Sequence, residues 1–331
     1  MTEVFTDSIV VRAAEPSDRP AILDLLGSTL SWLTDGWFDA FYAWKHQQNP
    51  FGASLSWVAV DGEVIVGHRV FLRWEHVKPD GEVLRTVRAV DTATRRSHQR
   101  RGIFRRLNLH AVNEVSSGPV AFVFNTPNDN SRPGNLKVGW SQVGRLGVSV
   151  RVASPLSALR VARARVPADV WSVPSTAGQP APDVLASSAI RDLLDALRPV
   201  SGLATHRTPA YLRWRYGFEP LSYRAITLGD DVRDGVAIFR LRRRGPAVEC
   251  ALCEVLVPQG DRGADRALVR AVVRECCADY VVRLACPPVG REGFVRAPGQ
   301  GPILTWRPLR EAVPGRRLDD WALALGDVEL I

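Results

Sequence analysis

Two stretches of the chain share one pattern: FYAWKHQQNPFG at residues 41–52 and YLRWRYGFEPLS at 211–222. Trp44-Lys45 aligns with Trp214-Arg215, and a proline stands six residues after each tryptophan, at Pro50 and Pro220. Each stretch is followed by a strand, a turn and a second strand: SWVAVDGEVIVGHRVFL in the first case and SYRAITLGDDVRDGVAIFRLR in the second. Self-similarity at this distance implies two copies of one fold unit. The 331 residues are enough for two domains of ordinary size, each with its own core. Composition places the units at residues 1–154 and 201–331, with a linker at 155–200 where VPSTAGQPAPD is rich in Pro, Ala and Ser.

Within the first copy, IVVRAAE (9–15) reads as a strand. Ser17-Asp18 supply a helix N-cap, Pro20 fits the first turn, and Ile22, Leu25, Leu26 and Leu30 recur at helical spacing. A second amphipathic helix runs through WFDAFYAWKHQQ and stops before Asn49-Pro50. Asp61-Gly62 is a strong hairpin signal between two strands, and GEVLRTVRAVDTAT is a third long strand. Next comes TRRSHQRRGIFRR (94–106), which places six arginines around the single glycine Gly102, immediately before a helix with Ile103, Leu107, Leu109 and Val112 broadly on one side. PVAFVFNTP is a buried strand, and the polar segment NDNSRPGNLKVGW follows it. A loop so basic is either a solvated patch or a place to hold a phosphate.

This order of elements resembles that of the GNAT superfamily of acyl-CoA-dependent N-acyltransferases. The family marks the end of its fourth strand with Gln or Arg, two variable residues, Gly, one variable residue, then Gly or Ala. Gln99-Arg100-Arg101-Gly102-Ile103-Phe104 matches except at the last position, where Phe104 replaces the small residue. The preceding Thr94-Arg95-Arg96-Ser97-His98 resembles the usual lead-in, and Asn128 stands 11 residues before Gly139-Trp140, as an Asn precedes the family's Gly-Phe pair. The resemblance implies an α/β (α+β) fold of two tandem GNAT-like domains, each a mixed, mostly antiparallel sheet flanked by helices. It also implies that the backbone N–H groups of the glycine loop and the helix N-terminus hold the pyrophosphate of acyl-CoA, with no metal. Arg100, Arg101 and Arg105 add charge. Backbone groups of Thr92, Ala93 and Thr94 would align the pantetheine and polarise the thioester carbonyl.

Such a reaction brings an amine and a thioester together and takes a proton from the ammonium. Asp91, on the fourth strand among apolar neighbours, is a candidate acceptor if burial raises its pKa; an ion pair with Arg88 is the plainer expectation. His68 and His98 are further candidates, each also explained as a packing or hydrogen-bonding histidine. Many GNAT enzymes place a tyrosine acid four residues before the Gly-Phe pair, but this chain has Asn135 there. Trp32, Trp37, Phe38, Phe41, Tyr42 and Trp44 lie on the two early helices; most are expected in the core, and a few could face an acceptor. The lost small residue at Phe104, together with a second domain expected to close over the cleft, suggests an acceptor larger than a free amino acid. The two-domain pattern resembles amino-sugar and antibiotic-modifying N-acyltransferases, which act on small-molecule or natural-product amines.

The second copy continues VECALCEVLVPQGDRGADRALVRAVVREC and DYVVRLAC, again strand, loop, helix and strand. Its loop, Gln259-Gly260-Asp261-Arg262-Gly263, lacks the family pattern and introduces an acid, so this unit is expected to be degenerate and not to bind coenzyme A. The net charge of +8 leaves nucleic acid as a competing partner, but no base-reading motif accompanies the arginines. A catalytically silent GNAT-like binding or scaffold protein is the other alternative. No apolar run approaches the ~20 residues that span a bilayer, and MTEVFTDS has no apolar core of a signal peptide. A cytoplasmic protein with no membrane or nucleic-acid partner is the expectation. The five cysteines, Cys250, Cys253, Cys276, Cys277 and Cys286, then read as reduced thiols and not as a zinc site.

Overall fold

The computed structural model describes residues 9–30, 36–284 and 292–329. The N-terminal eight residues, Trp32 and Cys286 lie outside them. In chain order the elements are β1 (Val10–Ala13), α1 (Arg19–Leu30), α2 (Trp37–His46), β2 (Leu55–Asp61), β3 (Val64–Val77), β4 (Val83–Thr94), α3 (Ile103–Ser116), β5 (Phe122–Asn125), α4 (Arg132–Lys137) and β6 (Ser141–Arg145). They continue with β7 (Val148–Val152), α5 (Pro155–Arg163), β8 (Gln179–Pro180), α6 (Ala181–Leu185), α7 (Ile190–Asp195), β9 (Ala204–Thr205), α8 (Pro209–Tyr216), β10 (Arg224–Thr227), β11 (Val236–Arg244) and β12 (Ala247–Leu256). The last are α9 (Arg262–Glu275), β13 (Tyr280–Leu284), β14 (Val295–Arg296), β15 (Ile303–Pro308) and α10 (Leu325–Val328).

The chain forms two compact units. In the first, the sheet order is β1-β2-β3-β4-β5-β15-β6. Strands β1, β2 and β3 pair antiparallel, β4 and β5 run parallel, and β15 is antiparallel to β5. Alternation along the strands supplies two apolar faces. One face carries Trp57, Val66, Phe71 and Val87 against Ile103, Leu107 and Ala111 of α3. The other carries Val58, Ile65 and Ala93 against Ile22, Leu25 and Leu26 of α1 and Tyr42 of α2. Gly67 sets the approach of α3: a Cβ there would stand 2.6 Å from Ile103 and 2.9 Å from Leu107. Leu109, expected on the apolar side of α3, is exposed, and Asn108 is buried in its place.

The second unit repeats the plan, with the order β14-β7-β13-β12-β11-β10-β8. Its one parallel pair, β12 with β13, stands where β4 with β5 stands in the first. Ala264, Leu268 and Val272 of α9 cover one sheet face against Ala237, Phe239 and Leu252, as α3 does in the first unit. The two-copy reading of the sequence therefore describes the architecture.

The boundaries differ from those expected at 154 and 201. The first unit ends at Val143 and regains Ile303–Arg316, while Gly144–Pro302 belongs to the second. The strand beside β5 in the first sheet is β15, and the strand beside β13 in the second is β7. Each sheet thus takes its penultimate strand from the other half of the sequence. Residues 155–200 are not a linker. Pro155 and Pro182 occupy first-turn positions of α5 and α6, where a missing N–H costs nothing. Gln179-Pro180 forms an edge strand on β10, and Ala181, Leu185, Ile190 and Leu193 are buried.

Candidate active site

In the first unit β4 and β5 pair only at Val87–Val123 and Arg88–Phe124, although β4 runs on to Thr94. Beyond Arg88 the two strands part, and among the described residues the edge of β4 toward β5 has no strand partner. Within this free stretch Asp91 adopts φ +45°, a left-handed conformation that costs an L-residue about 1–2 kcal/mol. The side chain of Asp91 is what holds it there. Lys45 Nζ lies 2.8 Å from Asp91 Oδ2, and His46 Nε2 also lies 2.8 Å from it. His46 Nδ1 is 2.9 Å from Ser54 Oγ, which fixes the ring. Two adjacent residues of α2 therefore clamp the strand at the place where it leaves its neighbour.

This arrangement corrects the expectation for Asp91. Burial alone would raise its pKa, but Lys45 and His46 reverse the balance and hold the carboxyl well below the ordinary range. It is an ionised, paired group, not a poised base. Its partner is Lys45, not Arg88, whose guanidinium instead reaches Thr126 Oγ1 and the Phe124 ring. His68 is wholly buried, with Nε2 2.9 Å from Ser56 Oγ, and burial lowers its pKa to about 3. His98 sits beside the loop with its ring nitrogens on Ser97 Oγ at 2.8 Å and Asp61 Oδ2 at 3.2 Å. Asp91 and His68 lie close enough for the Asp91 charge to act on the His68 ring, whereas His98 is bound to Asp61 beside the loop.

Two outcomes follow from the clamp. Asp91→Asn leaves Lys45, 1% exposed, without its carboxylate, and is expected to cost about 3–5 kcal/mol in urea unfolding. Acid should also weaken the fold. Between about pH 6 and 4 the unfolded chain protonates His68 while the native one, with that pKa at about 3, resists, so stability falls by up to ~1.4 kcal/mol per pH unit; the lowered pKa of His46 acts in the same direction. Below about pH 4 the loss of the Asp91 charge, whose folded pKa is depressed, acts in the same direction. Urea melts from pH 7 to 4.5 should show this slope, and His68→Gln should flatten it.

After β4 a short turn leads through Gln99, Arg100 and Arg101 to Gly102, which caps α3. Arg100 at φ +66° and Gly102 at φ +75° both take left-handed angles, and no side chain caps the helix. The first helical hydrogen bond here is donated by Arg106 N to Gly102 O. Among the described residues, the N–H groups of Arg100 through Arg105 therefore have no partner: six in a row around an uncapped helix start. Arg96, Arg100 and Arg105 make no ion pair among the described residues, whereas Arg101 reaches Asp61 at 3.4 Å and Arg95 reaches Asp24 at 3.0 Å.

The corresponding turn of the second unit is closed. Gln259 and Gly260 also take left-handed angles, but Asp261 caps α9 and its Oδ1 accepts from Gly263 N at 2.7 Å and Ala264 N at 3.3 Å. A built-in carboxylate occupies the place an anion would take.

Phe104 does not obstruct the first loop. Its ring packs against α4 at Gly134, where a Cβ would stand 2.7 Å from the ring. The glycine missing from the loop motif is supplied by α4 instead. Gly134→Leu should displace the ring and lower stability by ~1–3 kcal/mol in thermal unfolding. Asn128 spends its side-chain oxygen on Ser131 N and Oγ, both at 2.9 Å, in the turn that leads into α4.

Beneath the loop lies a buried polar chain that sequence reasoning did not find. Arg69, 2% exposed, donates to Thr92 Oγ1 at 2.6 Å and to Asn108 Oδ1 at 3.2 Å, and Asn108 donates to Asn135 Oδ1 at 3.2 Å. Burial lowers the pKa of Arg69 to about 9, so it keeps its charge at neutral pH. Its guanidinium lies over the Phe71, Phe104 and Trp140 rings. Thr92 is thereby fixed from below, Ala93 faces the α1 side, and Thr94 ends the strand. The Lys45 clamp did leave a trace, because a cation inside an apolar helix recurs at Arg215. That residue is also buried, on Tyr223 Oη at 2.6 Å and on the carbonyls of Gly326 and Glu329. Of the aromatic residues of α2, Phe38, Phe41, Tyr42 and Trp44 are core, and Trp37 is 45% exposed.

Among the described residues no group of three or more His, Cys, Asp or Glu is placed to hold a metal, and no helix is long and apolar enough to cross a membrane. Cys250, Cys253 and Cys276 are buried free thiols.

No protein-family model and no curated protein matches the sequence. The similarity lies in structure. A GCN5-related N-acetyltransferase from Anabaena variabilis superposes with a TM-score of 0.65 at 11% identity, over 91% of this chain and 73% of that one. One from Kribbella flavida gives 0.61 at 11% identity, over 91% and 72%. Eis1 from Mycobacterium abscessus gives 0.57 at 13% identity, over 91% and 73%. The chain has the fold of the GCN5-related N-acetyltransferases, in two tandem units, as the motif of the glycine loop implied.

Proposed function

We propose that this protein is an acyl-CoA-dependent N-acyltransferase whose donor site lies in the first unit. The observation that carries the reading is the run of six unpartnered N–H groups from Arg100 to Arg105 at the uncapped start of α3. Such a run is a strong anion site, and its counterpart in the second unit is filled by Asp261. Acyl-CoA is a substrate here. Its pyrophosphate would sit on the loop, with Arg100 and Arg105 adding charge. Its amide-bearing arm would lie along the unpaired edge of β4, which offers backbone groups in an extended row. The Lys45–Asp91–His46 clamp and the Arg69–Thr92 bond hold that edge in place from opposite faces.

The amine nitrogen, having lost its ammonium proton to solvent, attacks the thioester carbonyl, the carbon–sulfur bond breaks, and the proton then shed by the nitrogen goes to the thiolate. Positioning of both reactants supplies most of the rate in this scheme. Asp91 and His68 act in it as positioning groups, because one is ion-paired and the other buried and neutral. A primary amine of the size of an amino sugar is the acceptor we favour, on the family resemblance and on Trp37, the exposed aromatic of α2.

A second reading, a silent acyl-CoA-binding protein, is favoured by Asn135, which is wholly buried where a tyrosine acid is common. A thermal-shift series with coenzyme A, acetyl-CoA and octanoyl-CoA tests the donor site, and thiol release with an amine panel tests turnover. Stabilisation with turnover supports the enzyme, and stabilisation without turnover supports the silent binder. No shift with any of the three rejects both.

A further inference from the structure

The second unit contains a cavity of about 670 Å³, within the range of small-molecule sites. It opens where β12 and β13 part. Their parallel pairing stops at Ala251–Val282, but β12 continues to Leu256, and Leu252 through Val257 line the cavity together with Arg283 and Leu284. Among the described residues no strand is hydrogen-bonded to the edge of β12 there, so it offers peptide groups in an extended row. The cavity also has polar anchors. Ser149, 1% exposed, lines it with a buried Oγ that has no hydrogen-bond partner.

Charge indicates what the cavity takes. Each carboxylate in the lining is matched by an arginine: Glu254 by Arg207 at 3.1 Å, Glu292 by Arg266 at 3.2 Å, and Asp265 by Arg283 at 3.8 Å. Arg198 and Arg262 line it too, are exposed, and make no ion pair among the described residues. Two uncommitted guanidiniums beside an otherwise balanced wall select an anion. A diphosphate is disfavoured, because Asp261 already holds the first amides of α9.

We propose that this cavity is a second ligand site, separate from the donor site, for an elongated organic anion. A single phosphate or carboxylate would meet Arg198 and Arg262, and an amide-bearing chain would lie along the open edge of β12. The degenerate unit has on this view lost its pyrophosphate loop and kept its slot.

The test uses the full chain carrying Gly102→Asp, so that the loop of the first unit contributes little. Calorimetry with 4′-phosphopantetheine, N-octanoyl-glycylglycine and uncharged pantetheine compares this protein with one that also carries Arg198→Glu and Arg262→Glu, both at exposed positions. The expected result is that at least one anionic probe binds at least tenfold more tightly than pantetheine and weakens at least tenfold in the charge-reversed protein. The tighter of the two identifies the head group as phosphate or carboxylate. The proposal is overturned if neither anion binds the Gly102→Asp protein, or if charge reversal leaves their affinity unchanged. The donor-site reading is tested separately, by coenzyme A on the unmodified chain.

Discussion

Gly102→Asp is expected to weaken coenzyme A binding by a hundredfold or more while the protein remains folded. A Cβ at this position meets nothing within 4 Å, so the new side chain projects into open space and clashes with no neighbour. Its cost to the fold comes from φ +75°, where an L-residue loses about 1 kcal/mol and Asp is among the better tolerated. Its cost to the ligand is electrostatic. A carboxylate about 4 Å from a phosphate oxygen, at an effective dielectric near 20, repels it by ~4 kcal/mol. It would also compete for the same amides, as Asp261 does in the second unit. Gly102→Ala separates the two effects: it carries most of the strain without the charge and should leave affinity within a few-fold. Calorimetry on both variants decides the assignment. If the aspartate binds coenzyme A as the unmodified chain does, the loop is a solvated basic patch and the donor site lies elsewhere.

The loop was legible because its signal is local. A strand, a glycine that must take a left-handed angle and a helix start are all written within 94–106. The degenerate second loop was legible for the same reason, since Asp261 puts an acid within it, although its role as a cap was not read from the sequence. The partner of Asp91 was not legible in the same way. Arg88 is the nearby cation on its own strand, but residues three apart on a strand point to opposite faces, and the face of Asp91 is covered by α2. Lys45 arrives from 46 positions away, at a distance no periodicity reports. Its one trace was the repeated Trp44-Lys45 and Trp214-Arg215, a charge inside an apolar helix, which is costly to bury unless paired. Arg69 and Asn108 left less, since each interrupts an apolar run and the third member, Asn135, lies in a polar segment. Phe104 was misread for a related reason. The motif asks for a small residue in the loop, and the space its ring needs is opened by Gly134 on another helix.

Residues 1–154 expressed alone are expected not to form a stable domain, although the loop and most of the first sheet lie within them. The fragment lacks β15, which pairs with β5 from Asn125–Thr305 to Phe122–Pro308 and buries Leu304 and Trp306. Without it, the edge of β5 toward β15 is unpaired and Phe122 loses its contact with the Trp306 ring. Losing those two side chains from a core costs ~2–5 kcal/mol each, and their sum is comparable with the whole stability of a domain. The fragment also keeps β7, an apolar strand whose partners β13 and β14 are absent. Sequence reasoning drew the boundary there because the segment that follows is rich in Pro, Ala and Ser, and VSVRV and ILTWRP carry nothing local that says which sheet each joins. A fusion of residues 9–143 to 303–316 through a flexible linker restores the missing strand and removes β7. Circular dichroism melts should show a cooperative transition for the fusion and none for the 1–154 fragment. A cooperative transition in the fragment would mean that β15 is dispensable to the first sheet and that each half of the sequence folds independently after all.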